Sequence, residues 1–301
     1  MITLRALAAL AEQHADDLEQ TVVPLRVGDR TFDTDAEPVV MGVVNLSRDS
    51  SYRESVATTR DNAVRRGRVL AAQGAHLIDL GAESSNVGKA RVDAKDQTRS
   101  LVPVIEALTA DGIAVSIESY DVSTVRAGLA AGARVINLTG SAQDAAMFDL
   151  AAEHEATVVL CHVNGSHARD LDSVRAKDVV ADPIPDMLEQ FERRMTEARE
   201  RGVHDMAIDP GVGFSFAMDD HVRRAHHQTT VMLNSFRLRR LGVPICHSVP
   251  HAFDLFEEQF RIAEGFFTVL AHLGGTGVYR THEVPQIVAV LGALGRLDVQ
   301  P

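Results

Sequence analysis

The sequence predicts a closed (β/α)8 barrel, an α/β TIM barrel, with an N-terminal helix and β-hairpin as its preface. Three observations point there. A chain of 301 residues is long for one sandwich and ordinary for one α/β barrel. Eight short apolar runs alternate strictly with eight helical patterns, and each run has the length of a strand buried on both faces. Gly74-Ala75 and Gly132-Ala133 precede the second and fourth runs, where a helix C-cap glycine belongs. A doubly wound open sheet is the alternative to closure.

Thr3 to Gln20 reads as an amphipathic helix. From Pro24 to Phe32 a Gly-Asp turn between short strands suggests a hairpin, suited to covering the bottom of a barrel. Residues 1–37 are assigned to the same domain as the barrel at 38–301. The eight strand runs are Val39–Asn45, His76–Gly81, Ala114–Glu118, Arg134–Asn137, Thr157–His162, Asp205–Asp209, Pro244–His247 and Gly277–Arg280. The helical patterns are Thr58–Gln73, Lys95–Ala110, Val122–Ala131, Ala142–Glu153, Pro185–Arg201, Asp219–Leu241, Asp254–Leu273 and Val284–Leu294. The polar stretch from Ala168 to Pro185 is a loop that could cover a substrate.

Hydrophobic residues are 45% of the chain, enough for a large core, and the net charge is -12. That balance argues against a nucleic-acid or anionic-membrane surface. It does not exclude an anionic substrate, because a few arginines can dominate one pocket. Cys161 and Cys246 are far apart and imply no disulfide framework, so a cytoplasmic location is expected. No apolar run reaches the ~20 residues that span a bilayer.

Active sites of such barrels lie at the C-terminal ends of the strands. Those ends carry Asn45, Asp79, Glu83, Glu118, Asn137, His162, Asp209, His247, Arg280 and His282. Burying so many polar groups at one rim is costly without a polar ligand. Cys161-His162 and Cys246-His247 raise a zinc alternative, a metal-dependent hydrolase or lyase. Adjacent strand residues point to opposite faces, so each pair offers one inward ligand at most. The plainer reading makes the cysteines small core residues and His226-His227 a solvated helix face.

Six segments in order carry a resemblance to a family: Met41-Gly-Val-Val-Asn-Leu-Ser, Gly74-Ala-His-Leu-Ile-Asp-Leu-Gly-Ala-Glu-Ser, Val115-Ser-Ile-Glu-Ser, Gly132-Ala-Arg-Val-Ile-Asn, Ile208-Asp-Pro-Gly-Val-Gly-Phe and Tyr279-Arg-Thr-His-Glu-Val. Together they resemble the dihydropteroate synthases, pterin-binding TIM barrels. The resemblance implies a pterin cleft formed by Asp79, Glu118, Asn137, Asp209 and Arg280. Carboxylates accept from the amino-pyrimidinone edge, Asn137 donates and accepts, and Arg280 lies over the ring. It further implies catalytic roles for Asn45, Arg280 and His282, with Asn45 and His282 at the pyrophosphate and Asn45 as the ligand of Mg2+. A homodimer through late helices is implied too. The helix read at Asp254–Leu273 carries more apolar surface than one buried stripe needs, although a deeply buried helix would read the same way.

The departures from the family pattern gather on one side. The family's Ser-Arg-Lys after strand seven is replaced by His247-Ser-Val-Pro-His-Ala, so the lysine falls near His251 or Ala252. Lys89, Lys95 and Lys177 are the only lysines and none lies near strand seven. Thr-Arg-Pro of the second motif becomes Ser85-Asn86-Val87, and Glu118 stands where aspartate is usual. Ser85, Asn86, Phe214, His247 and His251 are therefore assigned to the second substrate or its loops. The reading is a dihydropteroate synthase-like transferase acting on a pterin or reduced folate, with an altered p-aminobenzoate side and an unidentified acceptor. The alternatives are a genuine dihydropteroate synthase, a folate-dependent one-carbon transferase, and a non-catalytic pterin-binding paralogue.

Overall fold

Val-, Ile- and Leu-rich runs bury both faces only when they pair side by side beneath a coat of helices. The computed structural model, which describes residues 1–47, 57, 59–84, 91–163, 165–170, 181–214 and 221–297, shows this arrangement. Helices α1 (Leu4–Gln13) and α2 (Ala15–Leu18) are followed by the antiparallel hairpin β1 (Leu25–Val27) and β2 (Arg30–Phe32). The sequence reads 3–20 as one helix; His14 interrupts it, with extended φ and no helical ψ.

Eight strands follow: β3 (Val39–Asn45), β4 (Leu77–Gly81), β5 (Val115–Glu118), β6 (Val135–Leu138), β7 (Thr157–Cys161), β8 (Met206–Asp209), β9 (Cys246–Ser248) and β10 (Val278–Thr281). All neighbours pair parallel, in the order β8-β7-β6-β5-β4-β3-β10-β9. An Ile208–Ile245 bridge joins the two ends, with Ile208 N–H donating to Pro244 C=O at 3.0 Å. The sheet is thus a nearly closed barrel, and the open-sheet alternative is set aside.

The surrounding helices are α3 (Arg60–Ala72), α4 (Ala94–Ala110), α5 (Val122–Ala130), α6 (Asp144–Glu153), α7 (Ile184–Glu200), α8 (His221–Asn234), α9 (Phe253–Phe256), α10 (Phe260–Leu273) and α11 (Val284–Leu294). Two patterns read as single helices are divided. The chain after α8 tightens into a 3-10 turn at Ser235–Leu241, and the stretch from 253 breaks at Glu257 (φ 48°) before α10 begins.

Strand parity separates two cores. Val40, Val44, Ile78, Leu80, Ile117, Ile136 and Leu160 point outward under the helices. Val39, Met41, Leu77, Val135, Val159, Cys161, Ala207, Cys246 and Val278 fill the interior, together with Leu25 and Val27 of the hairpin. The hairpin sits at the N-terminal ends of the strands: Thr157 Oγ1 donates to Arg26 C=O, and Arg30 donates to His76 C=O at 3.0 Å. With apolar side chains filling that end, polar inward positions accumulate at the other. Among the described residues no helix is long and apolar enough to cross a membrane.

Candidate active site

Two residues per strand repeat on each face, so the inward set toward the C-terminal ends follows from the interior core by counting in twos. It comprises Asp79, Ser116, Glu118, Asn137, Asp209, Ser248 and Arg280, and these do converge. Asp79 is fully buried beneath the others. It accepts from Ser116 Oγ at 2.6 Å, Asn137 Nδ2 at 3.0 Å and Arg280 Nε at 2.8 Å. Three protein donors on one carboxylate make Asp79 the organiser of the cleft. Asn137 is fixed from both ends, since its Oδ1 accepts from Cys161 Sγ at 3.2 Å.

Arg280 bridges the mouth. Besides Asp79 it donates to Glu118 Oε2 at 2.7 Å and to Ser248 Oγ at 3.2 Å. Burial pulls its pKa down, but Glu118 and Asp79 outweigh that and push it up, so the guanidinium stays charged. Glu118 reaches this position because Gly81 has no side chain: a Cβ there would stand 2.9 Å from Glu118 Oε2. Burial lifts the Glu118 carboxyl to about 7, against the pull of Arg280 and with help from Asp79 and Asp209. Burial likewise lifts Asp209 to about 6, although the Gly211 N–H, Arg280 and the Ser248 N–H oppose it. Three carboxylates around one cation form a pocket that favours a ligand presenting N–H donors.

Beside this cleft, at the β3–β10 seam, lies a basic end. Asn45 ends β3 half-buried, and His282 follows β10. The His282 ring is 5.3 Å from that of His251. Burial first, then His251, Arg280 and Arg66, push the His282 pKa well below the ordinary imidazole value. His251 Nε2 lies 2.8 Å from Glu264 Oε1. Glu264 is fully buried on α10 and also accepts from Thr281 Oγ1 and from the Glu283 N–H.

Other expected members fall elsewhere. His247 points away from the cleft, since Cys246 and Ser248 take the inward positions. Its Nε2 is 2.8 Å from Ser235 Oγ in the outer layer, and burial drives its pKa down to about 3. His247 is therefore corrected from second-substrate residue to a neutral packing residue. His162 turns outward toward Phe191 for the same reason of parity, with ring centroids 6.2 Å apart. Glu83 is bound to Tyr120, Arg91 and the Val92 N–H, and it lines one cavity with Glu118. His226 is exposed as expected, but His227 is half-buried. The cysteines are free and buried, and no group of His, Cys, Asp or Glu suited to a metal ion occurs among the described residues. Ser85 and Asn86 lie outside the described residues, as does the side chain of Phe214.

Ser116, Ser248, Glu264 and Arg66 were missed by the sequence reading. Ser116 and Ser248 were findable, because they share the inward parity of Glu118 and Cys246. Nothing local marks Glu264 or Arg66.

The sequence matches the family described as pterin binding enzyme over residues 41–282. A dihydropteroate synthase of Synechocystis is 28% identical over 287 residues, 91% of this chain and 96% of that protein. That of Mycobacterium leprae is 32% identical over 208 residues, 68% of this chain and 70% of that protein. Among solved structures, Xanthomonas albilineans dihydropteroate synthase in complex with 7,8-dihydropteroate superposes with a TM-score of 0.69 at 26% identity, covering 91% of this chain and 99% of that one.

Proposed function

Because the chain belongs to the pterin-binding enzyme family, we propose that it is a dihydropteroate synthase, joining a dihydropterin methyl pyrophosphate to p-aminobenzoate. The observation that carries this reading is the inward ring of Glu118, Asn137, Asp209 and Arg280. The Synechocystis relative named dihydropteroate synthase, alike over nine-tenths of the chain, adds to it. Glu118 and Asp209 accept from the amino-pyrimidinone edge, Asn137 is held in one orientation by Asp79 and Cys161, and Arg280 covers the ring.

In the reaction the methylene C–O bond breaks and the diphosphate departs with the electron pair. The amine nitrogen forms the new C–N bond and gives up a proton. The protein contributes position and charge complementarity to this exchange. Arg280 and His282 face the departing group. Asn45 offers a single carboxamide oxygen, a donor that fits a Mg2+ ion arriving on the diphosphate with its own waters. Bound there, the ion would neutralise charge on the leaving group.

A second reading, a transferase with an altered amine side, has its own observation: near His251 and Ala252, where the resemblance expects the family's lysine, His251 is held against Glu264. One assay separates the two. Dihydropterin pyrophosphate, p-aminobenzoate and Mg2+ are mixed, and pyrophosphate and dihydropteroate are followed together. The synthase reading expects turnover of about 1 s⁻¹ or more. Pyrophosphate release without dihydropteroate favours the second reading, and neither product overturns both.

The same reading makes the protein a homodimer through α10, whose outer face exposes Ile262, Phe266 and Leu273. It also takes residues 1–37 as part of the barrel's own domain.

A further inference from the structure

Arg66, in the second turn of α3, is a half-buried cation without a carboxylate partner among the described residues. Among the described residues its one hydrogen bond runs from a terminal nitrogen to the His282 carbonyl at 3.3 Å. Its Nε is buried and makes none. Burial pushes its pKa down, and no partner pushes it back, yet guanidinium remains charged at any working pH. Other interior arginines are placed differently. Arg194 meets Asp144, Arg237 meets Asp182 and Arg239 meets Asp35.

The surroundings of Arg66 deepen the imbalance. It is one of three groups, with His251 and Arg280, whose charge holds the His282 pKa down. Arg280 is matched there by Glu118 and Asp79, and His251 lies against Glu264, whereas Arg66 has no carboxylate beside it among the described residues. A guanidinium that stays charged in a partly desolvated place without a counter-charge favours an anion that joins it. A guanidinium with a buried, unused donor is suited to bind a phosphate oxygen through its planar fork.

We propose that Arg66 is a further binding residue of this site, holding the diphosphate of the pterin substrate together with His282. The proposal rests on the synthase reading for the identity of the anion. It assigns to α3, a helix outside the inward ring, a contact that strengthens as the leaving group gains charge.

The test uses the full chain and two probes that divide the substrate: inorganic pyrophosphate with Mg2+, and 6-hydroxymethyl-7,8-dihydropterin, which lacks the diphosphate. Calorimetry is run on the native protein, Arg66→Gln and Arg66→Lys. Pyrophosphate affinity is expected to fall about ten- to a hundredfold in Arg66→Gln, with a smaller loss in Arg66→Lys and dihydropterin affinity unchanged in both. Unchanged pyrophosphate affinity in Arg66→Gln would overturn the proposal. So would parallel loss of both ligands, which is the mark of a structural role. If Arg66→Gln does not fold, Arg66→Lys decides alone, since it keeps the stem and charge and loses only the fork. A native protein that binds pyrophosphate in an Arg66-dependent way but forms no dihydropteroate would remove the synthase reading and leave this one standing.

Discussion

Glu118 and Asp209 share a cleft whose bridging cation, Arg280, is already divided between Glu118 and Asp79. Their carboxyls are raised from 4.5 to about 7 and from 3.8 to about 6. For a carboxyl raised on folding, the associated stability is fully present below the unfolded value and is lost as pH climbs through the folded one. The empty protein should therefore lose stability between about pH 4 and pH 7. A ligand that donates N–H groups favours the ionised carboxylates, so its affinity runs the other way. Pterin binding is expected to strengthen from pH 5.5 to pH 8 with proton release, measured by calorimetry in buffers of different ionisation enthalpy. Asp209→Asn should weaken pterin binding about ten- to a hundredfold while raising the melting temperature at pH 8 by roughly 2–6 °C. A variant that is both weaker and less stable would contradict this account. Asp209 and Asn137 were legible in the sequence because strand ends of a barrel face its mouth. His247 was misplaced because a shift of one residue along a strand reverses the side chain's direction.

At the scale of elements, α7 is tied to the barrel by Arg194, whose side chain is fully buried. It donates to both oxygens of Asp144 at 2.7 and 2.8 Å, to the Cys161 carbonyl at 2.7 Å and to the Gly140 carbonyl at 2.9 Å. The loops after β6 and β7, which flank Asn137 and Cys161, are thereby fixed to one helix. Arg194→Leu strands a buried Asp144 and should cost about 3–5 kcal/mol in urea unfolding. The Asp144→Leu, Arg194→Leu pair should recover much of it. A single-variant loss below about 1 kcal/mol would show that the strut is dispensable. Helix periodicity in the sequence reached Arg194 as one polar residue of an amphipathic pattern and could not show its partners, which lie 33 to 54 residues toward the N-terminus. The break before α10 was hidden for a related reason. The apolar spacing runs on through 253–273, and packing of Phe256 against Phe266 and Phe267, at 5.5 and 6.3 Å, holds the interrupted path.

For the molecule as a whole, the hairpin plugs one end of the barrel with Leu25 and Val27, both nearly inaccessible. If residues 1–37 belong to the barrel's domain, as proposed, calorimetry should show no separate transition for them. Val27→Asp should lower the melting temperature of the entire molecule. An early, independent transition that leaves the barrel intact would argue against this. The proposed homodimer predicts about twice the chain mass of 32.6 kDa by light scattering at micromolar protein. Phe266→Asp should shift it toward the monomer without loss of helical signal. A monomer mass for the native protein would refute the dimer.

By itself the sequence determined the barrel, the order of its elements and the inward carboxylates and arginine. These depend on periodicity and on short motifs, both of which are local properties of the chain. Only the tertiary structure decided what those groups do to one another. Arg280 meets Asp79 across 201 residues and Glu118 across 162. Glu264 comes to His251 from α10, and Arg66 meets His282 from 216 residues away. Such partners are set by the closing of the barrel, which brings distant strand ends to one rim. Burial at that rim then moves their pKa values, because the cost of charge depends on solvent exclusion, a property that no stretch of chain possesses alone.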